Sequence, residues 1–419
     1  MRLPASREEP SVPYVAGSLV AGVFIGGVAG GVAFPTLPQL GTILGISPLL
    51  VGIILSINRF TRLLLNTPAG TVLDRIGTRR PMIAGFTIQA MAPFGYALGM
   101  NPGLVPLSSS TIFLLSRVAW GIGSAFVIVG AFSTITHVTT PENRGRWVGY
   151  MRGGQSLGFP TGLIVGGILA DTYGFQEAFL VAGFAGLLSA AVAAAVLPNL
   201  SADVEQTAGL SAIPGIVRAD PRVLSIGLVN TTVRFLYAGV LLSTVVLYAG
   251  THGIELSGFS ETGVSGVVMA LSVVFASGTT VLAGRYSDTL DNRASITVPA
   301  LGALGLGFVV LAVHPTLTGT LVGVSLIGLG VGGTNPPLLA YLGDISPEDD
   351  VGKLGGVYNV FGDLGSTLGP IVALPVAYRI GFTTEYLLCA GLVVLAGALV
   401  VRTLLGTAPV PSPELTEAD

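Results

Sequence analysis

Charge is scarce in this chain. Asp, Glu, Lys and Arg make up 10% of its 419 residues, against roughly 25% in a soluble domain. That excludes the two or three water-soluble domains such a length would otherwise suit. Cysteine is almost absent: Cys389 stands alone, so an intrachain disulfide and a cysteine metal cluster are both excluded. A buried structural thiol is its expected role. Of the three histidines, His137, His252 and His314 all fall near the ends of apolar runs. No convergent His, Cys or paired-acid set lies within those runs, as a membrane-embedded enzyme would need. Lysine is nearly missing too, with Lys353 against eighteen arginines. The formal charge of -3 says little, because sidedness depends on where Lys and Arg sit. Nothing resembles a cleaved signal peptide: Met1 to Ser11 is polar, and the run after it is long enough to span.

What fills the chain is hydrophobic sequence, 51% of residues, from about Val12 to Leu405. It divides into about twelve runs of roughly 20 residues, the length a helix needs to cross a bilayer. They begin near Val12, Ser47, Pro81, Thr111, Arg146, Ala178, Val223, Thr262, Ala294, Thr318, Gly352 and Thr384. Arg2, Arg7, Arg75, Arg79, Arg80, Arg144, Arg146, Arg218, Arg222, Arg285, Arg293, Lys353 and Arg402 fall at one face, and Arg379 alone at the other. The positive-inside rule makes the first face cytoplasmic and puts both termini there. The expected fold is an all-α membrane protein of twelve transmembrane helices. Glycine is abundant within the runs: Gly22, Gly26 and Gly30 share one helical face and suit close packing. Gly328-x-Gly330-x-x-Gly333 matches a dinucleotide fingerprint, but it lies inside an apolar run with no strand–helix unit to present a pyrophosphate. No cofactor, metal or nucleic-acid partner is expected; the expected partners are a small-molecule substrate and the lipid bilayer, with the chain a monomer.

The longest polar interruption, about Pro198 to Pro221, divides the runs six and six. Expected boundaries are a first bundle over 1–198, a linker over 199–221, a second bundle over 222–407 and a tail over 408–419. The halves echo one another. Gly70-x-x-x-Asp74 recurs as Gly284-x-x-x-Asp288, an offset of 214 (284 minus 70). Gly121-x-Gly123 recurs as Gly328-x-Gly330, Pro141-Glu142 as Pro347-Glu348, and Gly154-Gln-Ser-Leu-Gly158 as Gly365-Ser-Thr-Leu-Gly369. Ordered matches at nearly one offset point to a duplicated six-helix unit, a sequence mark of secondary transporters.

Gly70-x-x-x-Asp74-Arg75-x-Gly77-x-Arg79-Arg80 resembles the loop signature of the major facilitator superfamily. Arg117-x-x-Trp120-Gly121-x-Gly123 resembles its fourth-helix motif, and Asp171 to Phe179 its usual lead into the sixth helix. The chain looks most like the drug:proton antiporter branch. It departs from that branch's Gly-x-x-x-Gly-Pro motif in the fifth helix, where Phe159 separates Gly158 from Pro160; the eleventh helix has the intact form, Gly365 to Pro370. The resemblance implies two pseudo-symmetric bundles and alternating-access export of a small organic solute, coupled to H+. Uptake of an organic anion with protons or sodium is the alternative. It further implies that Gly70, Asp74, Arg75, Gly77, Arg79 and Arg80 form a cytoplasmic gate, with Gly284 and Asp288 as its weaker counterpart. Fixing topology is the plainer role for those arginines.

Charge at membrane depth is the sharpest signal. Arg59, Arg62, Arg117, Arg152 and Arg234 lie well within runs, and Asp363 is the one clearly interior acid. A central Arg facing lipid costs about 2.5–3.5 kcal/mol on insertion scales, so these should face a cavity or pair inside the bundle. Arg234 belongs to no motif and is the leading candidate for substrate contact. Arg59 and Arg62 serve packing or ligand equally well, and Arg117 is a structural or coupling residue. Guanidinium groups favour carboxylate or phosphate, which leans toward an anionic or zwitterionic solute. Arg152, Asn58, Trp120, Gln155, Asn230, Tyr237, Asn335 and Asn359 complete the expected substrate set. Asp363 is either a proton site or structural.

Overall fold

The computed structural model describes residues 12–101, 103–198, 200, 220–256, 258–346 and 351–406, without side chains for 141, 142 and 351–353. The expected linker, the tail over 408–419 and the Pro347-Glu348 repeat element therefore lie outside or mostly outside the described residues.

Twelve long helical segments follow one another: α1 (Val12–Ile43), α2 (Pro48–Ile76), α3 (Arg79–Gly99), α4 (Ser109–Val138), α5 (Pro141–Thr172), α6 (Phe175–Val196), α7 (Pro221–Thr251), α8 (Glu261–Ser287), α9 (Arg293–Val313), α10 (Leu317–Asp344), α11 (Val351–Ile380) and α12 (Phe382–Leu405). Among the described residues, ten are long and apolar enough to cross a bilayer. The other two are α3, which opens on Arg79 and Arg80, and α5, which carries Arg144, Arg146 and Arg152. Local chemistry sets the starts. Ser47, Ser108 and Thr316 accept from the backbone N–H three residues on, and Asp220 from that of Arg222, each satisfying an otherwise orphaned donor. Pro48 and Pro221 stand in the first turn, where no N–H is needed.

The helices form two compact units. The first holds α1–α6 and also the start of α8, within Glu255–Ala270. In it α1 packs on α5 and α6, α4 on α2 and α3, and α3 on α6. Asp171, at the end of α5, accepts from the Ser260 backbone N–H at 3.2 Å and from the Ser260 hydroxyl. Gln39 at the end of α1 donates to Glu261 at 2.6 Å and accepts from Thr262. These bonds and the close approach of Gly266 to Leu163 and Gly167 hold the start of α8 in this unit. The second unit contains α7, α8 from Leu271, and α9–α12. There α9 packs on α10 and α12, and α7 on α11.

The repeat has a packing meaning. A Cβ at Gly121 of α4 would fall 2.6 Å from the Asn58 carbonyl oxygen of α2, and one at Gly123 would collide with Gly85 of α3. In the second unit Gly328 of α10 lies likewise against Ser272 of α8, and a Cβ at Gly330 would fall 2.6 Å from the Ala300 oxygen of α9. Each Gly-x-Gly thus lets one helix touch two neighbours backbone to backbone. The turns into α6 and α12 add a match: Gly174 and Gly381 both take positive φ, 111° and 80°, which glycine adopts without strain.

Candidate functional site

Within the first unit Arg117 is 1% exposed. Its Nε donates to the Ile54 carbonyl at 3.1 Å, and its Nη2 to the Leu55 carbonyl at 2.9 Å and to Asn58 Oδ1 at 3.0 Å. The guanidinium also lies 5.9 Å from the Phe34 ring centroid, and that of Arg59 lies 5.3 Å from it, within cation–π range. Arg117 therefore rivets α4 to α2, and Asn58 spends its oxygen on that rivet. Trp120 is buried, its ring against Gly30 of α1. Arg62 is half-buried on the same helix as Arg59, while Arg152 and Gln155 on α5 are exposed.

The second unit gathers more of the expected residues. The backbone of α7 leaves the α-helical path for a π-helical stretch over Phe235–Leu241, directly after Arg234. Such stretches recur at functional sites. Asn230 Nδ2 donates to the Tyr358 carbonyl of α11 at 2.7 Å, and the Tyr358 hydroxyl donates to Asn335 Oδ1 of α10 at 2.5 Å. Tyr237, inside the π-helical stretch, shares a 3.2 Å hydrogen bond with Ser272. Arg234 sits among these groups, its charge acting on both Tyr237 and Tyr358. Its side chain passes Gly362, where a Cβ would come within 3.5 Å of its Cγ. No hydrogen bond or ion pair engages its half-buried guanidinium among the described residues. Tyr358 was not singled out by sequence; its position one turn before Gly362 of α11 is the only signal it offered. Asn359, its neighbour, is exposed instead.

Asp363 is not the one interior acid. It is half-buried, whereas Glu385 of α12 is 3% exposed and its Oε2 has no hydrogen-bond partner. Starting the last apolar run at Thr384 put Glu385 at its edge; α12 begins two residues earlier and turns that carboxyl inward.

The basic ends of the helices are ordered by ordinary chemistry. Gly77, with φ 82°, ends α2 and donates to Leu73. Arg79 donates from Nη2 to the Ala194 carbonyl near the end of α6 at 2.8 Å, a cation on a helix C-terminus. Gly70 is buried, while Asp74, Arg75 and Arg80 are exposed. In the second unit Arg293 lies 3.4 Å from both Asp288 and Asp344, just beyond Gly284, which comes near Pro336. These pairs are well exposed, so each stabilises by about 1 kcal/mol or less. At the start of α7, Asp220 pairs with Arg222 at 2.7 Å. Burial works to raise the Asp220 pKa, but the Arg222 hydrogen bonds and charge outweigh it and hold the carboxyl below its ordinary range.

The family model of the Major Facilitator Superfamily matches residues 19–370 and, in a second overlapping match, 266–419. Multidrug resistance protein 1 of Bacillus subtilis is 24% identical over 354 residues, 84% of this chain and 87% of that protein. The human chromaffin granule amine transporter is 24% identical over 339 residues, 79% of this chain and 61% of its own length. The crystal structure of a bacterial homologue of the human lysosomal transporter Spinster, inward-facing and occupied, superposes with a TM-score of 0.79 at 18% identity, covering 97% of this chain and all of that one. With the helices and the repeat in agreement, this chain belongs to the Major Facilitator Superfamily, as a multi-pass membrane transporter of small molecules.

Proposed function

We propose that this transporter exports a small amphipathic organic solute across the plasma membrane in exchange for protons, with both termini cytoplasmic and a single chain as the working unit. The observation that carries the reading is Arg234: a half-buried guanidinium within a membrane span, with no hydrogen bond or ion pair among the described residues, and with Asn230, Tyr237 and the Asn335-bonded Tyr358 near it. An unpaired charge at that depth is costly unless it serves a solute. A planar five-donor fork suits a carboxylate, so the solute class is an anionic or zwitterionic organic compound. Similarity along most of the chain to multidrug resistance proteins 1 and 2 of Bacillus subtilis supports export. The arginines Arg59, Arg62 and Arg152, on the spans α2 and α5, favour uptake of an organic anion as the second reading.

Direction and coupling are separable in one experiment. Purified protein in proteoliposomes is given norfloxacin, a zwitterionic aromatic carboxylate, under an imposed pH gradient, with Arg234→Ala liposomes as the control for passive uptake. Antiport drives norfloxacin into liposomes whose lumen is more acidic than the bath, and symport into those that are more alkaline. Accumulation on the acidic side supports the proposal; accumulation on the alkaline side, or with a sodium gradient alone, replaces it with the second reading.

A further inference from the structure

We propose that Glu385 is a proton-binding site of the second unit, a carboxyl that takes up one proton from water when the first turn of α12 opens and carries it while that turn is closed. The inference rests on the proton-coupled reading above and names the residue that executes it.

Three observations place the site. Glu385 is 3% exposed, yet its Oε2 meets no donor. An ionised carboxylate left there unpaired is among the costliest groups a protein can bury, whereas the acid form carries its own hydrogen. The first unit shows that the fold does not ask for an acid at this point. Gly174-Phe175 and Gly381-Phe382 open α6 and α12 with the same positive-φ turn, and counting on from them puts Ala178 where the second unit has Glu385. Phe179 and Tyr386 follow, both fully buried. The equivalent residue is a buried alanine, so the duplicated unit is built without a carboxyl there.

Among the described residues no ion pair engages Glu385. On α12 itself the neighbours are Tyr386 and Cys389, one residue and one turn away, both buried. From α7, Thr244 shares a 3.0 Å hydrogen bond with the Tyr386 hydroxyl, and Tyr248 packs on the Tyr386 ring at 5.3 Å. His252 stacks on Tyr248 at 4.5 Å and is half-buried at the end of α7. From α9 come Phe308 and Leu311, with exposed His314 beyond its end. Tyr378 and Arg379, the titratable groups at the end of α11, are both exposed. His252 and Phe382 lie at those helix ends with ring centroids 6.5 Å apart. With Glu385 only 3% exposed, movement at the start of α12 is the step that would open it to water.

Infrared spectroscopy of the whole protein in nanodiscs tests this without a solute. Wild type is expected to show the carbonyl band of a buried carboxylic acid at neutral pH, kept in Asp363→Asn, lost in Glu385→Gln and shifted in Glu385→Asp. A band missing from wild type, or unchanged in Glu385→Gln, overturns the inference; if the Gln variant fails to fold, an unshifted band in the Asp variant does so. In proteoliposomes Glu385→Gln should keep norfloxacin counterflow within about twofold of wild type but lose pH-driven accumulation. Retained accumulation contradicts the site, whereas a wild type that shows the band but no pH coupling rejects the coupling reading and leaves the proton site standing.

Discussion

Replacing Arg117 by leucine should cost roughly 1.5–6.5 kcal/mol of stability and sharply lower the yield of folded protein. Its guanidinium makes three hydrogen bonds to α2, and bonds to a charged group contribute about 1.5–3 kcal/mol each. Against that gross gain of roughly 5–9 kcal/mol stands the cost of a charge at membrane depth, about 2.5–3.5 kcal/mol. Leucine removes both, so the difference is what is lost. The Ile54 and Leu55 carbonyls lie in α2, and Asn58 Oδ1 is left without its Arg117 donor. Lysine should recover only part of the loss, since one ammonium cannot reach two adjacent carbonyls and an amide with a fixed fork. Thermal unfolding in detergent checks the order wild type, Lys, Leu. Equal melting of all three would show that Arg117 does not rivet α4 to α2, and a folded, inactive leucine variant would favour a coupling role.

Arg234→Ala should behave in the opposite way, leaving the fold intact and lowering norfloxacin transport by about ten- to hundredfold. No described hydrogen bond holds the Arg234 guanidinium, so removing it breaks no pairing among the described residues. The charge-assisted contact it would offer a carboxylate contributes about 1.5–3 kcal/mol, and each 1.4 kcal/mol is a factor of ten. Norfloxacin binding by the purified variant, together with its melting temperature, separates the two effects. Wild-type binding would remove Arg234 from the site. Tyr358→Phe should also weaken binding, by less, through loss of the hydroxyl bonded to Asn335.

Much of this architecture was legible in the residues. Twelve apolar runs, the break after the sixth and the recurring Gly-x-Gly gave the helices and their duplication, because close helix contacts in a bilayer have to be written in small residues. Sequence did not reveal which polar side chains are already spent. Asn58 and Asn230 looked like solute contacts, yet one takes a hydrogen bond from Arg117 and the other gives one to the Tyr358 carbonyl. An asparagine that bridges helices and one that faces a cavity have the same spacing, and only the partner's position distinguishes them. Glu385 was missed for a related reason: whether an acid at a helix start points to water or into the bundle depends on the turn before it. The π-helical stretch after Arg234 had no signal at all, since a shift in hydrogen-bond register leaves composition and hydropathy unchanged.

The lone cysteine makes the most direct test simple. In a Cys389→Ala background, single cysteines at Arg80, Arg222 and Arg379 are exposed to a membrane-impermeant maleimide in intact cells and in everted vesicles. Duplicated six-pass units require Arg80→Cys and Arg222→Cys to react only in everted vesicles, and Arg379→Cys only in intact cells. Reaction of the first two from opposite sides would mean an odd number of crossings between them, and the paired-bundle account of this transporter would fail.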